Sequence, residues 1–430
     1  MNVAIWVLKR LWFPKNEDEE IARDSFFENI TYLFPDSAKQ APLLGFSEIR
    51  KILNQNSETI KTYGHNVTII YDRKPSKEET RRDYLENLEP KFTTAKFISK
   101  VDLIKGKSRL SAFERFSLLS VGLLLSLMIV LTAKRRVSYA VLIKSLYEFS
   151  ILKRIFKDVA KVEFHDFVQY DIDSNLLYLF LKHLKGKDIV YFKYPSPGPL
   201  SLHNKWLLTD VLAINHGYHN EEIDHLKATI KYQRIEKVPP EGFFTYANLY
   251  EGELHIKHST RIGFYSHAAW IRKMEGHASD GLNIAQSEEV LLTKLGQYLE
   301  QNPNEIITLF LHPKEKTDTY FLKAKTFYHR FLGDRFVISE TPSTTAFDSV
   351  KLGVGVYSTI LFERLICGFS TCIYTPSNTF PLQHSALNTV IINRGDFINQ
   401  IERFLELSDR DFFKRYNLEY MVNPRFLPLN

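Results

Sequence analysis

The chain has 430 residues, 44% of them hydrophobic and 25% charged, a composition typical of globular proteins at a length that accommodates two domains of about 200 residues each. The net charge of +6 is modest, so it permits an anionic ligand or a membrane surface but does not indicate a nucleic-acid-binding protein. Cys367 and Cys372 are the two cysteines, and their spacing indicates neither a disulfide framework nor a zinc site and fits a reduced, cytosolic setting.

Hydrophobic periodicity predicts alternating strands and helices in the N-terminal half. The predicted strands are residues 1–13, 66–71, 162–168, 188–194 and 210–215, and the predicted helices are residues 18–34, 72–89, 137–159 and 174–184. Alternation of this kind is typical of an α/β domain with a parallel sheet.

An uncharged run of 18 residues, Phe116–Ala133, stands between Arg115 and the basic cluster Lys134-Arg135-Arg136. Its length is at the lower edge of a transmembrane span. Three alternatives remain open: a buried or interdomain helix, a membrane-surface helix anchored by the basic cluster, and a true span. A span would place the two halves of one α/β domain on opposite sides of the bilayer, which argues against it.

Polar side chains follow three of the predicted strands in this half. Asp171 and Asp173 lie in the turn after residues 162–168, where one of them is a candidate general base and the alternative is a helix N-cap. The predicted acceptor-binding or cleft residues lie after the next two strands, with a rigid surface loop and a structural histidine as the alternatives; they are Ser196, His203, Asn204 and His216.

The segment Val238–Gly242 (Val-Pro-Pro-Glu-Gly) is the predicted linker between two domains. We therefore predict one domain over residues 1–238, including 116–133, and a second over residues 243–430. The predicted strands of the second domain are residues 261–265, 306–311, 335–339, 352–356, 371–374 and 389–392, and its predicted helices are residues 287–301, with Ser287 as N-cap, 360–365, 396–405 and 410–416.

Three successive strands of the second domain end in polar residues: His312-Pro313, Glu340 and Ser358-Thr359. Ligands of open parallel sheets lie beyond the carboxyl ends of the strands. A Ser-Thr pair at the start of a helix is suited to an anion, because its hydroxyls, the unpaired N–H groups and the helix dipole act together. The three strand ends thus offer a hydrogen-bond donor for the phosphate, a hydrogen-bond acceptor for the ribose hydroxyls and an anion site for the phosphate. A nucleotide-sugar needs this set.

Two further carboxylates accompany these strand ends. Glu363 lies about one turn into the helix that follows Ser358-Thr359 and is a candidate to brace the hydroxyl pair or the donor. Glu315 and Lys316 are expected to form a surface ion pair of little energetic value, with contact to the substrate as the alternative.

In their order and spacing, His312-Pro313, Glu340 and Ser358-Thr359 resemble the HP motif, the ribose-binding glutamate and the Ser-Ser or Ser-Thr motif of bacterial sialyltransferases and polysialyltransferases. The resemblance covers roughly residues 240–400. It implies a GT-B fold, with two Rossmann-like parallel-sheet α/β domains facing a central cleft, the first on the acceptor side and the second binding the nucleotide-sugar. The family's acidic pair is followed by glycine, which the turn at Asp171 and Asp173 lacks.

The activity that this resemblance implies is transfer of a sugar, sialic acid or a Kdo-like acid, from a CMP-activated donor to a bacterial surface glycan of capsule or lipopolysaccharide. Asp171 or Asp173 would act as base, His312 would stabilise or protonate the departing phosphate, Ser358 and Thr359 would hold it, and Glu340 would bind the ribose.

We expect no metal and no cofactor, with the CMP-sugar as co-substrate, because no DxD pair stands at a strand end of the second domain. The expected partners are the nucleotide-sugar donor, a glycan or glycolipid acceptor and a membrane surface, but no nucleic acid. The expected location is cytoplasmic, with peripheral attachment to the inner membrane as an option. Two alternatives remain: a GT-B transferase using a UDP- or GDP-sugar or a CDP-alcohol for polysaccharide or teichoic-acid-like polymers, and a non-catalytic glycan-assembly subunit.

Overall fold

The structure is a computed structural model that describes residues 2–33, 41–53, 65–100, 103, 110–132, 136–168, 173–195, 206–215, 217–226, 229–250, 260–275, 284–356, 358–375, 385–392 and 396–423. Its helices are α1 (Val3–Trp12), α2 (Glu17–Leu33), α3 (Ala41–Leu53), α4 (Glu78–Leu88), α5 (Ala112–Leu131), α6 (Arg136–Ile155), α7 (Ser174–Lys185), α8 (Tyr218–Leu226), α9 (Phe243–Tyr250), α10 (Ala269–Met274), α11 (Ile284–Gln301), α12 (Phe321–Leu332), α13 (Thr359–Ile366), α14 (Phe397–Glu406) and α15 (Asp409–Arg415). Its strands are β1 (Asn66–Asp72), β2 (Lys96–Ser99), β3 (Lys161–Asp166), β4 (Ile189–Lys193), β5 (Leu207–Leu208), β6 (Val211–Ile214), β7 (Ile230–Lys231), β8 (Arg234–Lys237), β9 (Thr260–Tyr265), β10 (Ile307–Phe310), β11 (Phe336–Ile338), β12 (Val350–Val356), β13 (Thr371–Tyr374) and β14 (Ile391–Ile392).

The chain divides into two compact units. Unit 1 comprises Met1–Pro195, Leu202–Ile214 and Leu226–Val238, and unit 2 comprises Ser196–Ser201, Asn215–His225 and Pro239–Asn430. The chain therefore crosses from unit 1 to unit 2 for the last time between Val238 and Pro239. This point lies inside the segment that the sequence predicts as a linker.

Unit 2 contains a six-stranded parallel sheet in the order β11-β10-β9-β12-β13-β14. Counted along the chain, this is the order 3-2-1-4-5-6 of the doubly wound dinucleotide-binding fold, whose ligand lies where the strand order reverses. The reversal lies between β9 and β12. All four residues of β10 are buried, as expected of a central strand with both faces covered.

Unit 1 contains a second six-stranded parallel sheet in the order β2-β1-β3-β4-β6-β8, with a small parallel pair, β5-β7, beside it. Here the strand order reverses between β1 and β3. Two Rossmann-like parallel sheets in one chain are the building plan of the GT-B class, so the predicted α/β fold class is confirmed.

Two of the element predictions are wrong. Residues 1–13 form helix α1 rather than a strand: Asn2 caps it by accepting a hydrogen bond from the Ile5 N–H, and its buried residues recur every three or four positions, at Val3, Val7 and Leu11. Helix α11 begins at Ile284, so Ser287 lies buried inside it and is not its N-cap.

Helix α5 contains most of the apolar segment 116–133 and packs with one face only. Its N-terminus is closed by a capping box, in which Ser111 and Glu114 each accept a hydrogen bond from the other's backbone N–H. The inward face, with Leu118, Gly122 and Leu125 among its buried residues, packs against α3 and α6. Among the described residues α5 is the one helix whose length and apolar composition would allow it to cross a membrane, and 28% of its most apolar window is buried.

Candidate functional site

The polar residues predicted as a site lie at the carboxyl edge of the sheet in unit 2. His312, Glu340 and Ser358 each follow the last residue of their strand by two positions. Because β9 pairs in parallel with both β10 and β12, the positions after β10 and β12 are two strand spacings apart, roughly 10 Å. Glu340 follows the edge strand β11, one spacing beyond His312. The row along the edge is therefore Glu340, His312, the loop after β9, and Ser358-Thr359.

The ring of His312 has a defined tautomer. Its Nδ1 accepts a hydrogen bond of 3.1 Å from the backbone N–H of Lys314. A backbone N–H can only donate, so Nδ1 carries no proton and the neutral ring carries its proton on Nε2. Burial, with the positive charges of Arg272 and Lys314, lowers the pKa of His312, although the Glu315 carboxylate opposes the shift. The half-buried imidazole is therefore a neutral hydrogen-bond donor at physiological pH.

A fully buried carboxylate holds the turn that presents His312. The Glu315 side chain accepts hydrogen bonds from the His312 N–H at 2.8 Å, from the Trp270 indole N–H at 2.6 Å and from the Tyr328 hydroxyl at 2.8 Å. The prediction of a surface ion pair with Lys316 is thus wrong. Glu315 instead closes the turn from inside, which fixes the backbone from which the imidazole projects.

A second buried carboxylate, Glu288 on α11, holds the loop after β9. It accepts hydrogen bonds from the backbone N–H groups of His267 at 2.8 Å and Ala269 at 3.1 Å, and from the Ser266 hydroxyl at 3.4 Å. Burial and the nearby Glu315 carboxylate raise the pKa of Glu288 to about 7. The loop it holds contains Ala268 with a φ of 54°, a left-handed conformation that a non-glycine residue keeps only when its surroundings enforce it.

The other side of the site is the N-terminus of α13. Ser358 occupies the N-cap position of this helix without a side-chain capping hydrogen bond, so its hydroxyl is not consumed by the helix. Thr359 is exposed in the first turn. Glu363, predicted to brace the pair or the donor, accepts a hydrogen bond from the Tyr246 hydroxyl; burial and Glu363 raise the pKa of Tyr246.

A buried cation lies at the opposite, amino end of this sheet, in the last turn of α13. Arg364 has no exposed surface, and its guanidinium donates to the carbonyls of Ser370, Phe347 and Val350 and to the Tyr265 hydroxyl. These partners are all neutral, and within the described ranges Arg364 forms no ion pair. Because Arg364 lies in the last turn of α13, its charge compensates the negative end of the helix dipole and lies away from Ser358 and Thr359.

Pro313 and Glu340 are exposed at the edge, Pro313 beside His312 and Glu340 beyond it on the far side from α13. Their positions leave both accessible to a ligand lying along the row. In the part of the chain that the structure describes, no group of three His, Cys, Asp or Glu residues is arranged to hold a metal ion.

Most candidates of the N-terminal half lie outside the described residues, namely Asp171, Ser196, His203, Asn204 and His216. Asp173 is described and is buried: its Oδ1 accepts a hydrogen bond of 2.7 Å from Lys100 and its Oδ2 one of 2.5 Å from Ser145. Both oxygens are engaged inside unit 1. This geometry is that of a structural ion pair and disfavours Asp173 as the catalytic base.

Sequence reasoning missed the carboxylates Glu315 and Glu288. A signal for Glu288 existed, since it lies on the same helical face as Leu291, Leu292 and Leu295, and a charge on an apolar face indicates a buried partner. For Glu315 the local sequence, Lys314-Glu315-Lys316, indicates a surface. Only the distant Trp270 and Tyr328 show that it is buried.

No family model matches the chain, and no curated protein matches it. Among solved structures, one similar chain is provisionally assigned as a UDP-N-acetylglucosamine 2-epimerase from Listeria monocytogenes, with 9% identity, 85% of this chain and 93% of that chain covered, and a TM-score of 0.43. A second is a variant of the wall teichoic acid polymerase TagF with CDPG, with 10% identity, 92% and 94% covered, and a TM-score of 0.41. At TM-scores below 0.5, these likenesses do not identify a function.

Proposed function

We propose that the protein is a glycosyltransferase of the GT-B class, which moves a sugar from a CMP-activated donor, sialic acid or a Kdo-like acid, to a surface glycan. The observation that carries the proposal is the defined tautomer of His312. Its Nδ1 is occupied by the Lys314 N–H, so the Nε2–H remains as a donor at the ligand-binding edge of the sheet in unit 2.

The phosphate of the donor would lie between His312 and the start of α13. The Nε2–H donates to one phosphate oxygen, and Ser358, Thr359 and the helix N-terminus bind the others. A span of roughly 10 Å between the two strand ends accommodates a phosphate flanked by donors on both sides. The ribose would extend toward Glu340, whose carboxylate accepts hydrogen bonds from its hydroxyls.

In the reaction the acceptor hydroxyl attacks the anomeric carbon of the sugar. The bond from that carbon to the phosphate oxygen breaks, and CMP leaves with the electron pair. Since His312 is neutral, it stabilises the developing charge by hydrogen bonding and does not transfer its proton. The proton of the acceptor hydroxyl goes to a carboxylate base, for which Asp171 remains the candidate, because both oxygens of Asp173 are engaged.

No DxD pair stands at a strand end of the second domain. This supports a donor with a single phosphate, whose smaller charge is met by hydrogen-bond donors and a helix dipole without a metal ion. The GT-B alternatives use a UDP- or GDP-sugar or a CDP-alcohol. Each of these donors has a diphosphate, so the site would have to bind more negative charge.

The test is nucleotide binding by calorimetry with CMP, CDP, UDP and GDP. We expect CMP to bind best and the His312→Ala variant to bind it about 10- to 100-fold more weakly, the value of a hydrogen bond to a charged group. His329→Ala is the matched control, because His329 is an exposed histidine of the same unit that pairs with Asp334. Tighter binding of UDP or GDP excludes the CMP donor, and equal affinity of wild type and His312→Ala excludes the role of His312.

A further inference from the structure

An apolar surface covers the outward side of α5 and the adjoining part of α3 in unit 1. On α5 the exposed large residues are Phe113, Phe116, Leu123, Leu124, Leu127, Val130 and Leu131, and on α3 they are Leu43 and Phe46, all between 49% and 73% exposed. The two helices pack together: a Cβ on Gly45 of α3 would meet the Ile129 side chain of α5 at 2.9 Å. We call these nine residues the α3–α5 face.

The α3–α5 face is larger and less polar than the surface of an ordinary soluble helix. At 150–250 Å² per ring, its three phenylalanines alone expose roughly 300–500 Å², which equals the largest apolar patch of a typical monomer. Every exposed residue of α5 is uncharged, since Glu114 and Arg115 are half-buried. The uncharged surface extends along a helix of 20 residues, about 30 Å.

We infer that the α3–α5 face binds the surface of an anionic lipid bilayer, with α5 lying in the interface plane. The charges around the face favour this occupant. Arg50 is exposed on α3, one turn from Phe46. In the sequence, Lys134, Arg135 and Arg136 come three to five positions after Leu131, the last residue of α5. Apolar side chains on one side and basic residues at the rim are the pattern of interfacial helices on anionic membranes.

The packing of α5 indicates that it lies on the membrane and does not cross it. Its inward face is part of the core of unit 1, where Leu118, Leu125 and Ile129 are at most 3% exposed. Crossing the bilayer would remove these side chains from that core and open the contact with α3 and α6. Membrane attachment goes beyond the proposed transferase activity and does not depend on it.

The first experiment is co-sedimentation of the full-length protein with vesicles of phosphatidylcholine containing 30% phosphatidylglycerol, compared with pure phosphatidylcholine. We expect binding to the anionic vesicles, and we expect Leu43→Glu or Leu127→Glu to lower the partition coefficient about tenfold or more. Leu322→Glu is the matched control, because Leu322 is 73% exposed like Leu43 but lies in unit 2. Equal losses in the control and the face variants would overturn the inference.

Charge and mode of attachment are tested separately. Lys134→Glu with Arg135→Glu should lower binding to anionic vesicles roughly tenfold or more, and raising the salt from 50 to 500 mM should weaken the wild type. Extraction by alkaline carbonate supports surface attachment, while resistance shows a span and overturns it. A dimer in sedimentation velocity that Leu127→Glu dissociates, together with no vesicle binding, assigns the face to a second copy and overturns the inference.

Discussion

Glu288 should make the stability of unit 2 depend on pH. Its pKa is raised from an ordinary value of 4.5 to about 7 by burial and by Glu315. Below pH 4.5 the carboxyl is protonated in both the folded and unfolded states, so this group does not make the free energy of unfolding change with pH there. As the pH rises toward 7 the unfolded chain ionises first, so the contribution of this group to stability is lost through that window. The difference of about 2.5 between the two pKa values corresponds to about 3 kcal/mol in the free energy of unfolding.

The perturbation is Glu288→Gln, which keeps an acceptor oxygen for the loop after β9 but does not titrate. We expect the wild type to lose about 3 kcal/mol more than the variant between pH 4.5 and 8. Glu289→Gln is the control, because Glu289 is the next residue of α11 and pairs with Lys273 at the surface.

The assay is denaturant unfolding observed by fluorine NMR of fluorotryptophan-labelled protein. Trp270 is the one tryptophan in the sequence of unit 2 and touches the network through Glu315, so its signal reports the unfolding of this unit alone. Equal pH dependence of the wild type and Glu288→Gln, or a change in Glu289→Gln of the same size, would refute the reasoning.

Two further predictions concern the same unit. Because its pKa lies below 6.5, His312 should cause no fall in kcat/KM with CMP-sialic acid or CMP-Kdo between pH 7 and 8.5; a fall in that range that His312→Gln abolishes would show that the imidazolium is the active form. Gly353→Ala should cost about 1–3 kcal/mol, because the new Cβ would lie 2.6 Å from the Cδ and Nε atoms of Arg364, whose guanidinium is held by several carbonyls. The Trp270 signal measures this loss, and an unchanged unfolding midpoint would contradict the account of Arg364.

Local patterns in the sequence were sufficient to identify the strands of unit 2 and the polar residues at their ends. A buried strand is a short apolar run, and the residues directly after it lie at an edge of the sheet, so His312, Glu340 and Ser358 are placed by their neighbours in sequence alone. The same local reasoning failed at residues 1–13, where a short apolar run fits a strand or a helix equally until the cap at Asn2 and the packed face are known.

What the tertiary structure decided depends on partners far apart in the chain. The order of the strands, with β9 between β10 and β12, sets the distance between His312 and Ser358. The buried Glu315 accepts a hydrogen bond from Trp270, which is 45 residues away in the sequence. The buried Asp173 accepts one from Lys100, which is 73 residues away. Side-chain periodicity records only whether a position faces a core, so it cannot identify the group that the side chain meets there. That pairing fixes which carboxylates are structural and which remain open to a substrate.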